Sequence, residues 1–319
     1  MGVIIEHIEY YLPLILVSNQ DILLEHPDWD MAKVAEKTGV FTRHIAGKDE
    51  TACDLAIAAC TQLFEKFDKE KIDAVIFCTQ SPDYIMPPNA YLIHKHFGFR
   101  ENIIAFDINQ ACSGYVYGLL LSRSLIISGV VNSILLITAD TYSKYLHPDD
   151  RSVQALFGDG AAATLITKGQ SQGIVDIVVS SSGHDYKSFY IPSGGNRMPE
   201  NELDKCIQMN GPAVLSFFRS RVPVQIRELL NKNNLSIDNI DLFVFHQASK
   251  IGLDAITNAL KIVRNKVYSN IESTGNLVSA SIPVALKMAL DDGRIKKGNK
   301  IVLSGFGVGL SWASALIEF

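Results

Sequence analysis

Short runs of β-branched and apolar residues alternate along this chain with stretches whose apolar positions recur about every three to four residues. That alternation is the signature of an α/β protein in which strands and helices take turns. The runs Val3–His7, Ala74–Cys78, Ile103–Ile108, Ile134–Thr138 and Ala162–Thr167 predict strands in the first half. Ile174–Val179, Leu242–Phe245, Ile301–Ser304 and Ala313–Ile317 predict them in the second. Helical spacing covers Thr51–Phe67, Asn89–Phe97, Ser113–Ser128, Ala213–Asn231, Ile251–Leu260 and Leu277–Asp291. Pro223 is expected to kink the fourth of these or delay its start, because proline has no N–H to give the helix. Tyr142–Phe157 and His184–Asp204, rich in Pro, Asp, Ser and Gly, read as long loops of the kind that form covers and interfaces.

The pattern occurs twice. Ile72-Asp73-Ala74-Val75-Ile76-Phe77-Cys78 is echoed by Ile240-Asp241-Leu242-Phe243-Val244-Phe245-His246. Ala111-Cys112-Ser113-Gly114 opens one helix and Gly275-Asn276-Leu277-Val278 opens the counterpart; both helices close near a glycine, Gly129 and Gly293. A glycine-punctuated strand ends each half, from Gly158 to Ile166 and from Gly305 to Ile317. The offset of about 165 residues is far beyond a solenoid period and indicates a duplicated domain. Cys112, His246 and Asn276 lie at the edges of apolar elements, where two halves can pool them into one site.

Composition narrows the class. Of 319 residues, 47% are hydrophobic and 20% charged, which supplies a substantial core. The net charge of −5, without long runs of one sign, gives no generic nucleic-acid surface. The five cysteines are odd in number and lack CxxC spacing, so neither a disulfide framework nor a zinc knuckle is expected. No basic leader precedes an apolar core, and no apolar run reaches the roughly 20 residues of a membrane span. The expectation is a soluble cytoplasmic protein without membrane insertion.

Three residues invite chemistry. Cys112 follows a strand after a short turn and opens a helix, where unpaired N–H groups favour a thiolate; the alternative is a small buried hydrophobe. Cys53, Cys60, Cys78 and Cys206 take that second reading. His246 ends a strand and points to the usual ligand crevice of an α/β fold, or else hydrogen-bonds a loop. Asn276 precedes a helix and is either an N-cap or a donor to a developing oxyanion. Gly158-Asp159-Gly160-Ala161-Ala162-Ala163 matches GxGxxA but leads into a strand, so it is not read as a dinucleotide fingerprint. Gly305–Gly309 suits a close backbone approach, with the Val308 N–H available to an oxyanion.

Taken in order, these segments resemble the thiolase superfamily, and most closely the 3-oxoacyl-(acyl carrier protein) synthase III (ketoacyl synthase III) family. The likeness runs over nearly the whole chain: Thr38-Gly39-Val40 with Arg43-His44-Ile45-Ala46, Ala111–Gly114, Phe157–Ala161, His246-Gln247-Ala248, Gly275-Asn276 with Ser279–Pro283, and Gly305–Trp312. The resemblance implies a thiolase-like fold: two duplicated βαβαβαββ halves, 1–168 carrying the Cys and 169–319 carrying the His and Asn, in five αβαβα layers. It further implies that Cys112 takes an acyl group from a thioester, with the N–H groups of Cys112 and Val308 holding the oxyanion. His246 and Asn276 would then stabilise the enolate of a decarboxylating malonyl thioester. Coenzyme A or phosphopantetheine thioesters would be substrates, with no cofactor or metal. An acyl carrier protein and a second copy in a homodimer would be the partners, and fatty acid or polyketide synthesis the setting.

Neighbouring classes fit less well. A thiolase would carry a second cysteine in Gly305–Trp312, and a hydroxymethylglutaryl-CoA synthase a Glu where Thr79-Gln80-Ser81-Pro82 stands. Type III polyketide synthases share the three residues but are usually longer, and stay a runner-up. An acyltransferase to a hydroxyl or amine, and a silent carrier-binding subunit, remain as alternatives. Trp29 and Arg151 match positions that hold coenzyme A in the family, with Lys37 in place of a second basic residue. Where an Arg toward the carrier is usual, Ile251 stands, with Lys250 beside it. Lys250, Lys261, Arg264 and Lys266 form a candidate docking patch. Met86 matches a position that reaches across a dimer into the acyl pocket.

Overall fold

A computed structural model of the chain describes residues 2–199 and 205–319. The first half runs β1 (Gly2–Tyr11), β2 (Ile15–Ser18), α1 (Asn19–Glu25), α2 (Met31–Thr38), β3 (Thr42–Ile45), α3 (Ala52–Phe64), β4 (Ala74–Cys78) and α4 (Asn89–Phe97). It continues with β5 (Ile104–Ile108), α5 (Gly114–Ile127), β6 (Ser133–Asp140), α6 (Arg151–Gln154) and β7 (Gly160–Gly169). The second half runs β8 (Gly173–Ser181), β9 (Phe189–Tyr190), β10 (Gln208–Met209), α7 (Gly211–Lys232), β11 (Leu242–Phe245) and α8 (Lys250–Leu260). It ends with β12 (Val267–Tyr268), α9 (Ile271–Thr274), α10 (Ser281–Asp291), β13 (Lys300–Gly307) and β14 (Ser311–Glu318).

The main sheet has the order β12-β11-β13-β14-β8-β1-β7-β6-β4-β5. Read outward from its middle, the order is the same on both sides: first strand, last strand, then the three that carry the crossovers. The two sides join only where Val3 of β1 meets Gly173 of β8 in parallel register. Helices α5 and α10 touch strands of both sides and form the central layer. α3 and α4 cover the outer face of one side, and α7 that of the other with α8 packed against α7. Helices and sheet halves thus stack in five αβαβα layers, the arrangement that the resemblance implies. Strands β4, β11 and β6 are buried at every position because layers cover both faces.

Most expected elements stand within a few residues of their sequence bounds, and two expectations need correction. α7 begins at Gly211 with Pro212 in its first turn and runs on through Pro223, so that proline does not delay its start. The turn equivalence also shifts. Ala111 (φ 42°) and Val278 (φ 51°) are both left-handed, and each starts a short 3₁₀ turn that leads into a central helix. The structural counterpart of Cys112 is therefore Ser279, and Asn276 lies upstream of that position. α10 accordingly begins at Ser281, not at Leu277. Of the long loop expected over His184–Asp204, residues 200–204 lie outside the described residues; the rest holds a 3₁₀ turn and β9.

Candidate active site

Cys112 sits between the end of β5 and the start of α5, 2% exposed. Two close approaches fix it. A Cβ on Gly305 would lie 2.6 Å from the Cys112 carbonyl oxygen, and one on Gly307 would lie 2.8 Å from its Sγ. The end of β13 can reach the cysteine only because it is glycine there. The N–H groups of Val308 and of Cys112 itself lie near the sulfur and favour its charged form. The Val308 peptide is braced in turn: Ser311 donates its hydroxyl to the Val308 carbonyl at 2.8 Å and stands 2.7 Å from the Ser113 hydroxyl.

The environment of the thiol differs from the sequence expectation. Burial, reinforced by the negative charge of Asp140, pushes the Cys112 pKa up to about 12. The two N–H groups pull the other way but do not outweigh the lost hydration. Cys112 also precedes α5 by a turn and is not its first residue. The resting side chain is a thiol.

His246 follows β11, its own N–H donating to the Ser304 carbonyl at 2.8 Å. Gln247 pins the loop, donating to the Phe245 carbonyl and accepting from Ser269 and the Asn270 N–H. The imidazole is 1% exposed, stands edge-on to Phe306 at 5.6 Å between centroids, and burial lowers its pKa to about 3. It is neutral. Its Nδ1 has no hydrogen-bond partner. A buried N–H without an acceptor costs more than a bare lone pair, so the ring proton belongs on Nε2.

Asn276 is held by main-chain bonds at both ends, donating to the Leu156 carbonyl and accepting from the Gly158 N–H. Gly275 before it is left-handed (φ 66°), and a Cβ there would meet the Leu156 carbonyl oxygen at 2.9 Å. The Asn276 Oδ1 accepts from the Val278 N–H at 2.9 Å, which leaves the amide N–H groups as the free donors. Arg43, almost fully buried, braces the same loop through the Ala155 carbonyl, and burial lowers its pKa to about 10.

Cys112, His246 and Asn276 line one cavity of about 790 Å³. Phe306 and Gly307 share its floor, and Lys33, Lys37, Asp150 and Arg151 stand at its mouth. Lys37 and Arg151 are thus brought to the cavity, whereas Trp29 and Lys250 are not part of its wall. Trp29 stacks on His26 at 3.9 Å, and Lys250 is paired with Asp254 at 2.9 Å. Asp254 also binds Arg264, and Lys266 is taken up by the Asp238 and Ile240 carbonyls, so most of the candidate basic patch is engaged internally. Met86 is 78% exposed and does not line this cavity.

Lys33 was not singled out from the sequence, yet it lies one turn before Lys37 on α2. The signal was there: Asp30 caps the helix start and left-handed Gly39 its end. Asp140 was also missed. It is the end of β6, the counterpart of Gly307, and accepts from the Gln80 N–H at 2.7 Å and the Ser279 hydroxyl at 2.5 Å. Burial raises its pKa to about 6. Among the described residues, no group of three or more His, Cys, Asp or Glu is arranged to hold a metal ion, and no helix is long and apolar enough to cross a membrane.

A chain with this fold and a buried Cys, His and Asn on one cavity is a condensing enzyme of the thiolase superfamily. The family profile 3-Oxoacyl-[acyl-carrier-protein (ACP)] synthase III matches residues 106–183, and its C-terminal counterpart matches 230–319. The beta-ketoacyl-[acyl-carrier-protein] synthase III of Rickettsia typhi is 36% identical over 312 residues, 97% of either chain. A crystal structure of a 3-oxoacyl-(acyl-carrier-protein) synthase III superposes with TM-score 0.97 at 37% identity over the full length of both chains. The priming beta-ketosynthase of the R1128 polyketide pathway superposes at 0.93 with 27% identity, covering all of this chain and 96% of that one. The chain belongs to the 3-oxoacyl-[acyl-carrier-protein] synthase III family, a class of acyltransferases.

Proposed function

We propose that this enzyme condenses an acyl primer with a malonyl thioester, using Cys112 as nucleophile and His246 with Asn276 as enolate donors. The observation that carries the reading is the convergence of these three side chains on one cavity, with two N–H groups near the cysteine sulfur. In the first stage Cys112 Sγ bonds to the acyl carbonyl carbon, and the N–H groups of Cys112 and Val308 receive the oxyanion. The thioester bond to coenzyme A breaks, and the thiol proton leaves on the departing thiol. In the second stage the malonyl thioester loses carbon dioxide, and its enolate oxygen accepts from His246 Nε2–H and the Asn276 amide. The enolate carbon attacks the Cys112 thioester, and the Cys112 thiolate departs and takes up a proton from solvent, which restores the resting thiol. Two neutral donors suit this step because neither needs a proton supplied from the buried site.

Lys33, Lys37 and Arg151 at the mouth fit the phosphates of coenzyme A or the phosphopantetheine arm of an acyl carrier protein. The Trp29 face and Lys250, outside the cavity wall, would meet only the far end of such a ligand. The exposed segment Tyr84–Met86 fits a homodimer in which Met86 enters the partner. The setting is cytoplasmic lipid synthesis.

Intact-protein mass spectrometry after incubation with acetyl-CoA tests the reading. The wild type is expected to gain one acetyl group and Cys112→Ala none. Adding malonyl thioester discharges the adduct as a 3-oxoacyl product, and Asn276→Ala stops at the acyl-enzyme. An adduct on Cys112→Ala, or none on the wild type with any donor, overturns it.

A further inference from the structure

A second cavity, of about 330 Å³, is bounded by Val308, Gly309 and Phe189. Phe189 belongs to both. On the reading above, the pantetheine arm that delivers the acyl group must leave the main cavity before the second thioester enters it. The acyl chain on Cys112 therefore needs a separate space, and this cavity adjoins the peptide whose N–H lies near the sulfur. Its volume is at the small end of ligand pockets, about 300–1,000 Å³.

Phe189, Ile191, Ile207 and Val308 give the walls an apolar part, and a chain of polar side chains completes them. Buried Tyr142 donates its hydroxyl to Gln80 Oε1. Gln80 Nε2 donates to Asn109 Oδ1 at 2.5 Å. The Gln80 backbone is fixed, its N–H donating to Asp140 at 2.7 Å. The Gln80 amide lies between Tyr142 and Asn109. Its Oε1 faces Tyr142, so its Nε2 faces Asn109. One further N–H of Gln80, a lone pair of the Tyr142 oxygen and the amide hydrogens of Asn109 are left for a ligand or for water. A straight hydrocarbon chain would displace that water and return no hydrogen bond, whereas an oxygen on the chain would restore one.

We propose, on the basis of the function above, that the Tyr142–Gln80–Asn109 chain makes this enzyme select short acyl groups bearing a hydroxyl or carbonyl oxygen over plain alkanoyl groups. A site built to hydrogen-bond a substrate oxygen discriminates far more strongly than an apolar pocket does against one extra methylene.

The test is the rate of Cys112 acylation, read by intact mass, with acetyl-, butyryl-, 3-hydroxybutyryl- and 4-hydroxybutyryl-CoA. At least one hydroxylated thioester is expected to outpace butyryl-CoA by about tenfold or more in kcat/KM. In Gln80→Leu and in the isosteric Tyr142→Phe that ratio is expected to fall toward one, with melting curves confirming folded protein. Wild-type enzyme that takes butyryl-CoA as fast as both hydroxylated thioesters overturns the selectivity and leaves the acyl-enzyme intact. No adduct from any of the four, acetyl-CoA included, overturns the function on which it rests and the selectivity with it.

Discussion

Cys112, the proposed nucleophile, rests as a thiol. Burial holds its pKa near 12, so at neutral pH only a small fraction is thiolate, and that fraction grows about tenfold per pH unit. Alkylation by iodoacetamide should therefore rise about tenfold per unit from pH 6 to 9 without a plateau. It should show no inflection near 6.5, because His246 is neutral throughout that range. A plateau below pH 8 would mean that the N–H pair at the sulfur outweighs burial. Asp140 gives a second pH signature. Its carboxyl keeps a proton in the fold, up to about pH 6, that the unfolded chain loses near pH 4. Its contribution to stability is thus full below pH 4 and declines as pH rises from 4 to 6, by up to about 3 kcal/mol in total. The melting-temperature difference between wild type and Asp140→Asn should change across that window and be flat above pH 7. The sequence marked Cys112, His246 and Asn276 because each is a reactive type at the edge of an apolar run. Asp140 carried no such mark. It ends an apolar strand as an ordinary loop-facing acid would, and only the fold turns it inward onto Ser279.

The elements were legible where periodicity is strong and long. α4 and β11 have the bounds expected from the sequence, and the sandwiched strands differ only at their ends. The short pieces that frame the cavity mouth, α2 and α6, were not read, because one or two helical turns give too few positions for a period to declare itself. The turn before α10 misled for a different reason. Val278 occupies a left-handed conformation that a β-branched residue rarely takes, and nothing in its side chain announces it. The matching turn before α5 is held as tightly. A Cβ on Gly114 would stand 2.1 Å from the Cys78 Sγ, with both residues buried. Gly114→Ala should cost about 1–3 kcal/mol in urea unfolding through overpacking, and should lower acylation by displacing Cys112 two residues away. Cys78→Ala in the same chain should restore most of the loss. An additive double mutant would rule out that contact as the cause.

At the scale of the whole molecule, the ten-stranded sheet leaves two edges, and they are not alike. β12 is two residues long, whereas β5 offers five, with Ile104, Phe106 and Ile108 in alternation and every position half-buried. Such an edge is a template for further pairing unless something covers it. Beyond the neighbouring β4 come Tyr84, Ile85 and Met86, with Ile85 92% exposed, a cluster that a lone soluble chain has no reason to show to water. Both features are met if a second copy pairs with β5 across a two-fold axis, since an isologous contact presents the same edge and cluster from each side. The duplication was plain in the sequence, but this surface was not. A strand's rank in a sheet depends on which neighbours the fold gives it, and the β5 sequence would suit an interior strand equally well. Sedimentation velocity at micromolar concentration should give twice the 35.1 kDa of the chain. Ile85→Asp should shift the protein toward monomer with little change in the melting of the monomer itself, because so exposed a side chain contributes nothing to the core of its own subunit. It should also slow acylation if the partner's Tyr84–Met86 segment closes the cavity beyond Val308. A wild type that sediments as a single chain would remove the partner from that cavity and leave Met86 without a part in acyl selection.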